Sequence, residues 1–240
     1  MQPPHTSRAF DRDIDGLRTQ LLTMAGHVET AIGDAAGALE SRDEALAARV
    51  VEGDAAIDAL EDAINAEVVR IIALRQPAAG DLRTVITVMK MSGDLERVGD
   101  YAKNLAKRDP MLGQGPDVAG AAGAIRRLSV LVKDLLRDAK AAFEHADAEA
   151  AYEVLLRDVE IDEMTGALFR QFLTHMMEDP RSITACMHYL FIAKNLERMG
   201  DHVTEICEQL IYLETGERPE ARPKGPSTAF LDSPHPDGAA

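Results

Sequence analysis

The 240-residue chain has no tryptophan, two cysteines and an aromatic content of only 4%. With so few aromatic residues, and no stretch of sustained apolar/polar alternation, no β-strand is expected. Cys186 and Cys207 are too far apart for a C-x-x-C pair, so neither a redox dithiol nor a zinc knuckle is present. Both fall at apolar helical positions and read as buried free thiols, as suits a reducing cytosol. Residues 1–7 lack the apolar segment of a signal peptide. No run approaches the roughly 18–20 apolar residues a membrane span requires, so direct membrane insertion is not expected. Basic residues are scarce: 26 Lys and Arg face 41 Asp and Glu, for a net charge of −15. Such a surface repels nucleic-acid phosphates and anionic lipid, and suits basic partner surfaces or divalent cations. P-loops, nucleophile elbows and Gly-rich nucleotide fingerprints are also absent.

What remains is helical. Apolar residues make up 46% of the chain and recur at steps of three and four. Phe10, Ile14, Leu17, Leu21, Met24, Val28, Ala31, Ala35 and Leu39 mark a first long helix. Ser41-Arg42-Asp43-Glu44 has the form of a capping box and predicts the start of a second. Its stripe runs Val50, Ile57, Leu60, Ile64, Val68, Ile71, until Pro77 and Gly80 interrupt. A third helix from about Asp81 carries Val88, Met91, Leu95, Val98, Ala102 and Leu105. Residues 109–120, rich in Pro and Gly, read as a linker. Three further helices follow: one marked by Ala121, Ile125, Leu128, Val132, Leu135, Ala139 and Ala142, one from about Ala148 to Glu178, and one from about Ser182 to Leu213. The Pro-rich residues 217–240 read as a disordered tail.

The two halves repeat one another. Leu95-Glu96-Arg97-Val98-Gly99-Asp100 matches Leu196-Glu197-Arg198-Met199-Gly200-Asp201, and Asp54-x-x-Ile57-Asp58 matches Asp158-x-x-Ile161-Asp162. The expected fold is all-α: six long antiparallel helices in two tandem, pseudo-symmetric three-helix bundles, at 8–108 and 121–216.

The repeats also align carboxylates. Glu96 and Asp100 lie four apart and stack on one helix face, as do Glu197 and Asp201, Asp54 and Asp58, and Asp158 and Asp162. Asp58 and Glu96 are equidistant from Pro77, as are Asp54 and Asp100. Asp162 and Glu197 are equidistant from the Asp179–Pro180 turn, as are Asp158 and Asp201. Each hairpin therefore brings four carboxylates to one level. With Leu95 as reference, Glu96 lies at about 100° and Asp100 at about 140° around the helix, clear of the core stripe. Gly93, Gly99 and Gly200 nearby suggest close approach of a ligand or a backbone. Two readings follow: a solvated acidic face with Arg97 and Arg198 as counter-charges, or a polynuclear metal site in each half. For an oxygen-rich donor set, Mg, Ca, Mn or Fe fits better than Zn or Cu. His202 follows Asp201 directly and so points elsewhere on the helix, as a surface or interface residue.

The duplicated Leu-Glu-Arg-x-Gly-Asp motif, with Asp81-Leu82-Arg83, Asp94 through Asn104, and Asn195 through His202, resembles the PhoU family over roughly residues 8–215. The resemblance implies two three-helix bundles whose E(D)-x-x-x-D motifs bind multinuclear iron or other metals. The candidate ligands are Glu96, Asp100, Glu197 and Asp201, then Asp94 and Asn195; Asp54, Asp58, Asp158 and Asp162 are added by the hairpin geometry. It further implies a cytoplasmic, dimeric, non-enzymatic repressor of the phosphate-starvation response, linking the ATPase of a phosphate ABC transporter to a membrane sensor histidine kinase. Two departures stand out: the Pro-rich tail after Gly216 lies outside the pattern, and position 205 is Glu where the pattern has Asn, kept as Asn104 in the first half, so a more acidic second site is expected. The competing classes are a ferritin-like oxidase, disfavoured because no histidine has Glu three residues before it, and a helical scaffold without metal.

Overall fold

The computed structural model describes residues 7–112 and 118–219. Its helices are α1 (Ser7–Ser41), α2 (Glu44–Arg75), α3 (Gly80–Ala106), a single turn α4 (Asp109–Leu112), α5 (Ala121–His145), α6 (Ala148–Glu178) and α7 (Ile183–Thr215), with a 3₁₀ turn at Pro180–Ser182 before α7. No strand occurs among the described residues. The expected linker begins with α4 and is anchored by buried Leu112 and Val118. The tail from residue 220 lies outside the described residues.

The predicted stripes form the core. Leu17, Leu21, Met24, Val28, Ala35 and Leu39 of α1 are buried, as are all six marked residues of α3 and all seven of α5. In α2, Leu60 is only partly buried beside Val50, Ile57, Ile64, Val68 and Ile71. Cys186 and Cys207 are fully buried free thiols, and burial pushes the Cys207 thiol well above its ordinary range.

The first hairpin begins differently from the expected capping box. Ser41 is the last residue of α1 and its hydroxyl donates to the Gly37 carbonyl at 2.7 Å. Arg42 turns the chain with φ 55°, and Asp43 caps α2 by accepting from the Leu46 N–H at 2.9 Å. An aspartate one residue before the helix is the better cap, because its carboxylate also faces the positive end of the helix dipole. Asp147 does the same for α6, accepting from Glu149 and Ala150 at 3.0 Å. Asp13 on α1 clasps α2, accepting from Arg70 at 2.8 Å and Arg75 at 2.9 Å. Those two hydrogen bonds hold its carboxyl below the usual range. A depressed carboxyl contributes stability above its unfolded pKa and loses it as pH falls through the folded one. Asp13→Asn should therefore lower the melting temperature at pH 7, with the difference closing below about pH 3 in thermal scans.

α1, α2 and α3 pack together, and so do α5, α6 and α7; the halves then join through α1 against α5 and α3 against α7. α3 and α7 run antiparallel. Arg83 at the start of α3 lies over the Tyr212 ring at 5.6 Å, and Arg108 beyond its end lies over Phe191 at 4.7 Å. Tyr101 and His202, equivalent positions in the two repeats, stack on each other with centroids 5.9 Å apart. Equivalent residues of the two repeats therefore face each other across the α3–α7 seam.

Candidate functional site: paired carboxylates on two hairpins

In the first half the four predicted carboxylates share one cluster. Asp54 on α2 is buried, and its carboxylate and that of Asp100 on α3 both accept from the ammonium of Lys103, the latter at 2.6 Å. Lys103 was not among the residues expected here. Burial lowers an amine's pKa, but the hydrogen bonds to Asp100 and Asp54 outweigh it, so the lysine is held charged well above its usual range. Glu96 is pushed up to about 7, first by burial, then by its hydrogen bond to Asp100 and the Asp100 charge. Burial acts against the Asp100 carboxylate as well, but the hydrogen bonds from Lys103 and Glu96 hold it below its ordinary value. Asp58 is raised by burial and by the charges of Asp54 and Asp100. Arg97, the expected counter-charge, is 63% exposed and stands 3.7 Å from Glu96 and 3.9 Å from Asp100. One internal lysine and one solvent-exposed arginine thus face four carboxyl groups, more than the two cations can neutralise.

The motif glycine sets the register in both halves. A Cβ on Gly99 would sit 3.0 Å from Ile57 Cδ1 and 3.8 Å from Asp54 Oδ1. On Gly200 it would sit 3.1 Å from Ile161 Cδ1 and only 2.7 Å from Asp158 Oδ1. The same Asp-x-x-Ile segment therefore crosses the same glycine in each hairpin, as equal distance from the turn requires. Gly93 has no such neighbour: its nearest contact would be Glu61 at 4.0 Å. In the second half Asp158 is buried, and Asp162, Glu197 and Asp201 are half-buried. The internal lysine has moved. Thr204 stands at the position equivalent to Lys103 and donates to the Asp201 carbonyl at 2.6 Å. Lys194, equivalent to Gly93, pairs with Glu197 at 3.1 Å.

Asp94, Glu205 and His202 meet at the α3–α7 seam. His202 Nδ1 lies 3.2 Å from Asp94 Oδ1 and 3.2 Å from Glu205 Oε2. The expected extra acidity of Glu205 is thus directed into the seam, and His202 is the interface residue its position suggested. Burial opposes a charged imidazole, yet the contacts with Asp94 and Glu205 hold His202 at about 9. Burial, with Glu205, raises Asp94. Asn195, the counterpart of Asp94, is half-buried on α7.

Fold and site together define a duplicated helical-hairpin protein that gathers hard oxygen donors at equivalent points of its two halves. The chain belongs to the PhoU family: the PhoU domain matches it twice, over residues 21–108 and 125–210. It is 42% identical over 221 residues to a phosphate-specific transport system accessory protein PhoU homolog of Caulobacter vibrioides, covering 92% of this chain and 96% of that one. A protein of the same description from Zymomonas mobilis is 43% identical over 221 residues, covering 92% and 93%. Among solved structures, PhoU from Pseudomonas aeruginosa superposes with a TM-score of 0.83 at 38% identity, covering 87% of this chain and all of that one. The phosphate transport system regulatory protein PhoU from Streptococcus pneumoniae gives 0.82 at 32% identity, covering 88% and 100%.

Proposed function

We propose that this protein regulates phosphate uptake and represses the phosphate-starvation response when phosphate is plentiful. The observation that carries the reading is the two-fold PhoU domain match, together with nearly full-length likeness to phosphate-transport accessory proteins. In this reading it is a cytoplasmic, non-enzymatic, dimeric adaptor that binds the ATPase of the phosphate transporter and a sensor histidine kinase. It would reach the membrane through them, since no described helix is long and apolar enough to cross one.

The hairpin carboxylates fit a role as cation sites. Their donors are hard oxygens, the class that takes Mg, Ca, Mn or Fe. In the first half, Glu96 and Asp58 retain protons more strongly than isolated carboxyls do, which reflects charge that Lys103 leaves unneutralised. Glu96 and Asp100, with Asp58, would hold an ion there; Glu197 and Asp201, with Asp162, would hold one in the second half. A bound cation supplies neutralising charge and ties two helices of a hairpin together. The protein's own part is to fix the donors at one height through Gly99 and Gly200.

Deletion of the gene should raise a phosphate-starvation reporter several-fold in phosphate-rich medium, and the wild-type copy should restore repression. Unchanged reporter expression in the deletion strain contradicts the regulatory role.

A further inference from the structure

We propose that Asp94, His202 and Glu205 form a divalent transition-metal site in the seam between the two halves, distinct from the paired carboxylates of the hairpins. His202 and Glu205 lie outside the Glu-x-x-x-Asp spacing, and the inference does not depend on metal at the hairpins. The three ligand atoms all lie within 4.8 Å of one another. Each carboxylate oxygen stands 3.2 Å from the ring nitrogen. In a tetrahedral site with ligands at about 2.0–2.1 Å, neighbouring donors are about 3.3–3.4 Å apart, so the two nitrogen–oxygen spacings already suit coordination and the two carboxylate oxygens need only settle around the same ion.

The three side chains crowd together: Asp94 hydrogen-bonds Glu205, and both carboxylates approach His202. An imidazole nitrogen carries one proton at most, and here two carboxylates converge on the same Nδ1. One proton cannot point at both. A metal ion at that position binds the nitrogen and both oxygens together. The ring is also held in place: Tyr101 stacks on it with planes inclined by 28°, the kind of support that fixes a ligand's orientation. The site opens onto a hollow of about 530 Å³ that Lys90, Glu208 and Gln209 also line, together with Glu61, Glu96 and Arg97 of the first hairpin. Water can therefore enter and complete the coordination.

The pseudo-twofold supplies an internal comparison. The counterparts of Asp94, His202 and Glu205 are Asn195, Tyr101 and Asn104, a set without an ionised ligand. Only one side of the seam therefore has this capacity. Its mixed nitrogen and oxygen donors select Zn, Co, Mn or Fe(II) over Mg and Ca, unlike the all-oxygen hairpins. Because Asp94 lies on α3 and the other two ligands on α7, occupancy clamps one half of the protein to the other.

Cobalt titration of the chelator-treated full-length protein tests this. Co(II) should give a visible d–d absorption that saturates at one equivalent, survives excess Mg(II) and is displaced by Zn(II). His202→Gln should weaken Co(II) binding at least tenfold. So should Glu205→Asn, which places the Asn104 residue at a 54% exposed side chain and should leave folding intact by circular dichroism. Glu96→Gln/Asp100→Asn, whose Glu96 borders the same hollow, and Glu197→Gln/Asp201→Asn should each keep the band, which separates this site from both hairpins. Absence of a visible band in folded wild-type protein, or an unchanged band in both His202→Gln and Glu205→Asn, overturns the proposal.

Discussion

Replacing Lys103 by methionine is expected to destabilise the protein by about 2–3 kcal/mol at pH 7, measured by urea denaturation. The substitution keeps most of the apolar stem and removes the ammonium that bridges α2 and α3. Asp54 is only 6% exposed, so its carboxylate has little water to replace the lost partner. The cost of leaving a buried charge unpaired exceeds the modest worth of an exposed ion pair. The deficit should shrink in acid, where carboxylates take up protons. Millimolar Mn(II) or Mg(II) should recover much of it at neutral pH, because an ion that binds only the folded state stabilises it by mass action. Lys103→Arg should behave differently from wild type, since a planar guanidinium cannot occupy the same point between two carboxylates. If Lys103→Met matches the wild type in stability, with and without metal, the bridge has no energetic role.

The second large effect is expected at Gly200. An alanine there gains roughly 1 kcal/mol of helix propensity over glycine. Against this, its methyl would lie 2.7 Å from the Asp158 carboxylate oxygen, a distance that forces α6 and α7 apart or turns a buried carboxylate away. The net result should be a loss of about 2 kcal/mol. Two other glycines calibrate the expectation. Gly99→Ala meets an isoleucine methyl at 3.0 Å; that side chain can shift, so the change should be near neutral. Gly93→Ala meets nothing closer than 4.0 Å and should stabilise by about 0.5–1 kcal/mol. Denaturant midpoints of the three variants should therefore fall in the order Gly93→Ala, Gly99→Ala, Gly200→Ala. An equal response at all three would mean that close helix approach has no bearing on the hairpin register.

That register was readable before any coordinates because helix rise is constant. Residues equidistant from a tight turn must reach similar heights in an antiparallel pair, so Asp54 and Asp100 could be matched across Pro77. The core stripes were readable for the related reason that heptad-like spacing leaves one buried face. Lys103 was not apparent, because a lysine three residues after an aspartate has the look of an ordinary exposed ion pair; only the depth of Asp54 makes it internal. Helix ends were also less visible. Gln76, Ala79 and Ala146 adopt left-handed backbone with φ of 48°, 50° and 53°, conformations that punctuation by Gly and Pro does not mark. Ser41 resembled a cap, whereas Asp43 is the cap, since both residue types suit that position. The Asp94–His202–Glu205 triad depends on how two complete bundles dock. No periodicity within either half encodes that, although the Tyr101–His202 equivalence across the repeats would have suggested a shared axis.

Anomalous diffraction from crystals grown with Mn(II), collected above and below the manganese edge, tests the gathering of cation-binding oxygens on the two hairpins most directly. Peaks within bonding distance of Glu96 and Asp100 in one half, and of Glu197 and Asp201 in the other, are the expected result. A well-ordered crystal at millimolar Mn(II) with no peak beside either pair would show that these carboxylates are satisfied by their lysines alone.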